Sequence, residues 1–134
     1  MKINLNVFKK AIVSVTLLGC MLLFVNPAHA YTRDTGAPTA GVFAFIQCSG
    51  YNYTAYTQNQ ANLPGTVQTI VVAYYGNGPR YDIKLLKNAG HDSWLSWIRS
   101  DTAPSTFNGK AFHHIQGTHN YWINGTSYTY TSSC

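Results

Sequence analysis

The chain has 134 residues, a formal charge of +5, only 10% charged residues and no glutamate. That length accommodates one small domain, and cations this sparse and scattered exclude the basic stripe of a nucleic-acid binder. Asp34, Asp82, Asp92 and Asp101 are the only acids, so paired-carboxylate hydrolysis has little to draw on.

The first thirty residues read as a secretory signal peptide. Lys2, Lys9 and Lys10 head an uncharged run from Ala11 to Val25, and Asn26-Pro27 breaks it before Ala28-His29-Ala30. A basic head, an apolar middle and an A-x-A end predict cleavage after Ala30. The run falls short of the roughly 20 residues a membrane span needs. Leu17-Leu18-Gly19-Cys20 looks like a lipobox and offers a lipoprotein alternative at Cys20. Beyond Ala30, Arg33, Arg80, Lys84, Lys87, Arg99 and Lys110 stand against the four aspartates and leave a charge of +2.

Tyr31 to Gly41 is polar, with glycine and proline, and is expected to be a flexible N-terminal arm. Residues 42–134 are expected to form a single β domain. Val42–Cys48 predicts a short buried strand. Tyr51–Thr57 alternates, with Tyr51, Tyr53 and Ala55 on one face. Val67–Tyr75 and Arg80–Leu86 predict a hairpin across Gly76-Asn77-Gly78-Pro79, with Tyr81, Ile83 and Leu85 facing one way. Asn88–Asp92 reads as a turn. Ser93–Arg99 would suit a short amphipathic helix, but its β-rich neighbours favour a strand. Lys110–Gln116, Tyr121–Asn124 and Ser127–Ser132 complete seven or eight short strands, with Gly117-Thr118 and Asn124-Gly125-Thr126 as turns. The fold class is all-β, a small antiparallel sandwich or barrel.

Two cysteines follow the leader, Cys48 and the final residue, Cys134. In an exported chain such a pair predicts a disulfide. No C-x-x-C spacing points to redox chemistry.

Three histidines fall in AFHHIQGTHNYWING, Ala111 to Gly125. Strand alternation sends His113 and His114 to opposite faces, and His119 lies beyond the expected turn. No H-E-x-x-H or Cys/His zinc spacing occurs, so no metal site and no cofactor are expected. No G-x-S-x-G elbow occurs, and no catalytic residue is assigned. The aromatics are the candidate binding residues: Trp94, Trp97, Trp122, Tyr51, Tyr53, Tyr128 and Tyr130. Such amphipathic rings stack on sugars or anchor at membrane interfaces when exposed together, and otherwise fill the core.

The expectation is therefore a secreted, non-enzymatic interaction protein acting at or outside a bacterial cell envelope. Its partner would be cell-wall glycan, a membrane surface or another protein, with no nucleic acid. A cleaved leader followed by a small chain rich in Gly, Asn, Thr and Tyr resembles, in layout and composition, bacteriocin precursors of the lactococcin 972 type. That resemblance implies an antagonistic secreted peptide. The alternative of another class is a small secreted hydrolase using His113, His114 or His119 with an aspartate.

Overall fold

The computed structural model describes residues 31–60 and 63–134. The expected leader, with its cleavage site and Cys20, lies outside the described residues.

Among the described residues, nine strands build two antiparallel sheets packed face to face. They are β1 (Tyr31–Gly36), β2 (Val42–Ser49), β3 (Asn52–Asn59), β4 (Thr66–Tyr75), β5 (Asp82–Asp92), β6 (Leu95–Thr102), β7 (Thr106–Phe107), β8 (Lys110–Ile123) and β9 (Thr126–Ser133). The first sheet runs β1-β2-β3-β6. The second runs β5-β4-β8, with β7 and β9 both pairing β8. Alternation assigns the two faces of each strand. From β2, Val42, Ala44, Ile46 and Cys48 turn inward; from β4, Val67, Thr69, Val71, Ala73 and Tyr75 do, and all are buried. Ser93–Arg99 contributes to a strand, with Ile98 buried and Trp97 outward.

The disulfide joins the two sheets. Cys48 on β2 is bonded to Cys134, with Cα atoms 5.9 Å apart and a sequence separation of 86. Cys134 also extends the second sheet, exchanging both backbone hydrogen bonds with Ile115. Closing so long a loop contributes roughly 4–5 kcal/mol on the chain-entropy account.

Three expectations are corrected. Residues 31–36 are not a loose arm, because β1 pairs with β2 along its whole length, from Tyr31↔Ser49 to Gly36↔Ala44. Its inward Asp34 accepts hydrogen bonds from the Tyr130 hydroxyl and the Ser133 amide, both at 3.1 Å. Gly36 is needed there, since a Cβ would overlap the Tyr130 ring. A polar edge strand offers no apolar pattern to read.

Gly117-Thr118 is not a turn either. β8 runs unbroken through it, and Gly117 is opposite Val71 and Ser132. A Cβ at Gly117 would lie 2.8 Å from Ser132 Oγ and 2.9 Å from His119 Nε2, so the glycine clears space rather than bending the chain. Asn88–Asp92, read as a turn, belongs to β5. Gly90 there takes a positive φ of 76° where the register with β4 slips. The apolar alternation of β5 holds, but Ile83 and Leu85 face solvent while Lys84 reaches over the Phe107 ring.

Candidate functional site

The outer face of the first sheet carries a row of rings built by register. Phe45 pairs with Tyr56 across β2 and β3, and Tyr56 pairs with Trp97 across β3 and β6. All three side chains turn outward because Ala44, Ile46, Ala55 and Ile98 fill the core beneath them. Phe45 and Tyr56 stack with centroids 4.9 Å apart and planes 20° apart. That spacing equals the distance between neighbouring strands, so the rings stand up from the sheet face to face. Arg33 lies over Phe45 and Arg99 over Trp97, each guanidinium 5.0 Å from its ring centroid. These cation–π contacts hold the two cations at opposite ends of the row. Phe43 and Trp97 are about half exposed, at 56% and 46%.

Clefts open along this row. One, of about 250 Å³, is lined by Tyr56, Gln58, Leu95 and Trp97. With one face of Tyr56 covered by Phe45, its other face borders this cleft. A second, of about 520 Å³, is lined by Arg33, Thr35, Gly36, Ala37, Phe43, Ala44, Tyr56 and Gln58. Tyr56 and Gln58 thus form the wall between the two. A third, of about 260 Å³, lies where β6 bulges against β3 and includes Gln47, Asn52, Thr54, Arg99 and Ser100. The larger cleft, of about 520 Å³, falls within the size range of small-molecule sites, and the other two are smaller than that range. Their polar lining is amides, hydroxyls and guanidinium groups, which offer both donors and acceptors.

The aromatics expected from the sequence do not form one surface. Trp97 belongs to the row. Trp94 is exposed in the β5–β6 turn, its amide held by the Asp92 carboxylate at 2.8 Å. Those amide hydrogen bonds keep the Asp92 pKa below the usual carboxylate range. Trp122 lies on the second sheet, packed on His91 with centroids 4.4 Å apart. Tyr51 sits in the β2–β3 turn, edge-on to Phe112. Tyr128 is exposed beside Tyr121. Tyr130 is half-buried against Asp34 and Gly36. Tyr53 is corrected: at 2% exposure it is a core residue, and burial beside Asp101 pushes its hydroxyl pKa up. Phe43, Phe45 and Tyr56 were missed. The signal was present, because a turn centred on Gly50-Tyr51 sets Phe45 opposite Tyr56 and leaves small or aliphatic residues for the inner face.

The histidines separate into two environments. His119 is fully buried between the sheets. Its Nδ1 is 2.9 Å from Thr57 Oγ1 and its Nε2 is 2.7 Å from Ser132 Oγ. Thr57 Oγ1 also lies 3.0 Å from the Gln68 carbonyl, so each imidazole nitrogen has a hydroxyl partner inside the core. Burial drives its pKa down to about 4. Thr69 continues the network to Ser96, whose Oγ accepts the Thr69 amide at 2.8 Å. This polar chain links β3, β6, β4, β8 and β9. Enclosed there, His119 meets no substrate from solvent.

His113 and His114 were expected on opposite faces, and the structure corrects this. Tyr74 pairs with His114 and Tyr75 with Phe112, so His113 is the extra residue of a β-bulge. The bulge breaks the alternation and brings the two Nδ1 atoms within 2.8 Å of each other. Among the described residues, no group of three or more His, Cys, Asp or Glu side chains converges.

In comparisons with protein-family models, characterised proteins and solved structures, nothing matches this chain, so its reading rests on the residues and geometry above.

Proposed function

We propose that the chain is a non-enzymatic binding protein, exported to the cell envelope, whose ligand is envelope polysaccharide seated on the outer face of the first sheet. One observation carries this reading: the cleft lined by the paired Tyr56 and Trp97 and by the next outward pair, Gln58 and Leu95, in line with Phe45 and the two arginines. A sugar ring offers an apolar face of C–H groups and a polar rim of hydroxyls. Upright aromatic walls serve the first, and amide and guanidinium groups serve the second. The neighbouring clefts share walls with this one, which suits a chain of linked rings rather than a single small molecule.

Binding of the full chain to insoluble cell-wall polysaccharide, measured as the fraction retained, tests the reading. Trp97→Ala and Tyr56→Ala each lower the affinity about tenfold or more, as expected for aromatic residues at the centre of a contact. Retention unchanged in both variants overturns the reading. So does retention by anionic lipid vesicles in place of polysaccharide, which would assign the face to a membrane surface.

A further inference from the structure

The second sheet carries an independent feature. At the β8 bulge, the rings of His113 and His114 meet with centroids 5.0 Å apart and planes at 78°, their Nδ1 atoms 2.8 Å apart. Neighbouring rings fix the pair. Tyr74 stacks on His114 at 4.4 Å and 9°. Tyr81 packs on His113 at 4.8 Å, with its hydroxyl 3.3 Å from His113 Nε2. The hydroxyl of Tyr74 is itself held by Gln116 at 2.8 Å. The bulge turns both imidazoles to one face, where the two tyrosine rings hold them in contact.

We infer that His113 and His114 form a two-imidazole site for a borderline divalent transition-metal ion, with Cu²⁺ favoured, bound through both Nδ1 atoms with solvent in the remaining positions. Metal–imidazole bonds of about 2.0–2.1 Å place two nitrogens about 2.9 Å apart at a right angle and about 3.4 Å apart at a tetrahedral one. The observed 2.8 Å lies at the right-angle end, the geometry of tetragonal Cu²⁺ or Ni²⁺ rather than of Zn²⁺. Imidazole suits these ions, and Cu²⁺ heads the general affinity order.

The protons balance. In the metal-free pair one Nδ1–H donates to the other Nδ1. With His113 as that donor, its Nε2 accepts from the Tyr81 hydroxyl. On binding, the shared hydrogen leaves and the metal sits to the side of the N–N line, about 2.0–2.1 Å from each nitrogen. The His113 proton moves through solvent to Nε2, which then donates to Tyr81 Oη, so the neutral pair releases no net proton. Tyr81 becomes the outer partner that orients a ligating imidazole.

Titration of the full chain with CuCl₂, followed by calorimetry and electron paramagnetic resonance, tests this. One equivalent is bound at the pair, with hyperfine structure from two imidazole nitrogens. His113→Gln and His114→Gln each weaken binding at least tenfold, and the double variant loses that equivalent. The exposed His91 remains in the double variant as an internal control. Cu²⁺ binds more tightly than Ni²⁺, and Ni²⁺ more tightly than Zn²⁺. Undiminished binding by the double variant overturns the inference. So does a wild-type spectrum without two-nitrogen coupling, which needs no variant to fold.

Discussion

The two outer faces of the sandwich differ in how their side chains are brought together. On the first sheet, β2 and β3 pair without interruption from Val42↔Asn59 to Ser49↔Asn52, and β6 slips against β3 only beyond the Ala55↔Ile98 pair, so Phe45, Tyr56 and Trp97 fall into a straight row. On the second sheet, the register of β4 slips twice against β5 and once against β8. Its outward residues gather into local clusters instead: the His113–His114–Tyr74–Tyr81 group at one end and the Trp122–His91 pair at the other. Regular register gives an extended surface, suited to an extended ligand. Bulges give points of convergence, suited to a single ion. Both faces rest on one interior, and that interior has a covalent part at Cys48–Cys134 and a polar part around His119.

The largest expected effect removes the shared support. Replacing Cys134 by Ser costs about 4–5 kcal/mol if loop closure governs the bond's contribution, and both faces lose order together. Denaturant unfolding of the variant beside the wild type measures it. A loss below about 1 kcal/mol would mean that the noncovalent interior holds the sheets by itself.

Acid acts next, through His119. Its folded pKa of about 4 lies below the ordinary 6.5, so the unfolded chain binds more protons between those values. Stability is therefore full above about pH 6.5, falls as the pH drops toward 4 and levels off below it, a loss of roughly 3 kcal/mol. Thermal melts across that range read the slope. A flat profile would mean that His119 is already charged or hydrated in the folded state.

Gly117→Ala perturbs the same network by volume. Its Cβ would press on Ser132 and His119, and overpacking of this kind costs about 1–3 kcal/mol. A variant as stable as the wild type would return Gly117 to a turn-like role.

The smallest effects separate the faces. Trp97→Ala lowers polysaccharide affinity by about 1.4 kcal/mol, a tenfold change, with little change in stability. Leu85→Asp on the second sheet leaves that affinity unchanged, because Leu85 is exposed on the opposite face. Equal losses in both variants would erase the distinction.

The sandwich and its disulfide were legible because their signals are plain: the β-branched and aromatic run Val67–Tyr75, turn residues at Gly76–Pro79, alternation in Arg80–Leu86, and two cysteines. The strand nature of β1 was hidden because an edge strand tied by Asp34 needs no apolar residues. The continuity of β8 was hidden because Gly117 serves a tertiary contact, and a glycine kept for space looks the same in sequence as one kept for a turn. Alternation separates His113 from His114, and only the pairing with Tyr74 and Tyr75 shows the bulge that reunites them. The aromatic row was within reach: Phe43 and Phe45 alternate with Val42, Ala44 and Ile46. Reading that run as buried on both faces concealed the outward pair.

The central claim is that the first sheet's outer face is the binding surface. Mapping amide and side-chain chemical shifts while titrating a soluble cell-wall oligosaccharide tests it most directly. Shifts cluster at Phe43, Phe45, Tyr56, Gln58, Trp97 and Arg99 if that face binds, with Trp122, His91 and Leu85 unmoved. Shifts confined to the second sheet, or none at saturating oligosaccharide, would contradict it.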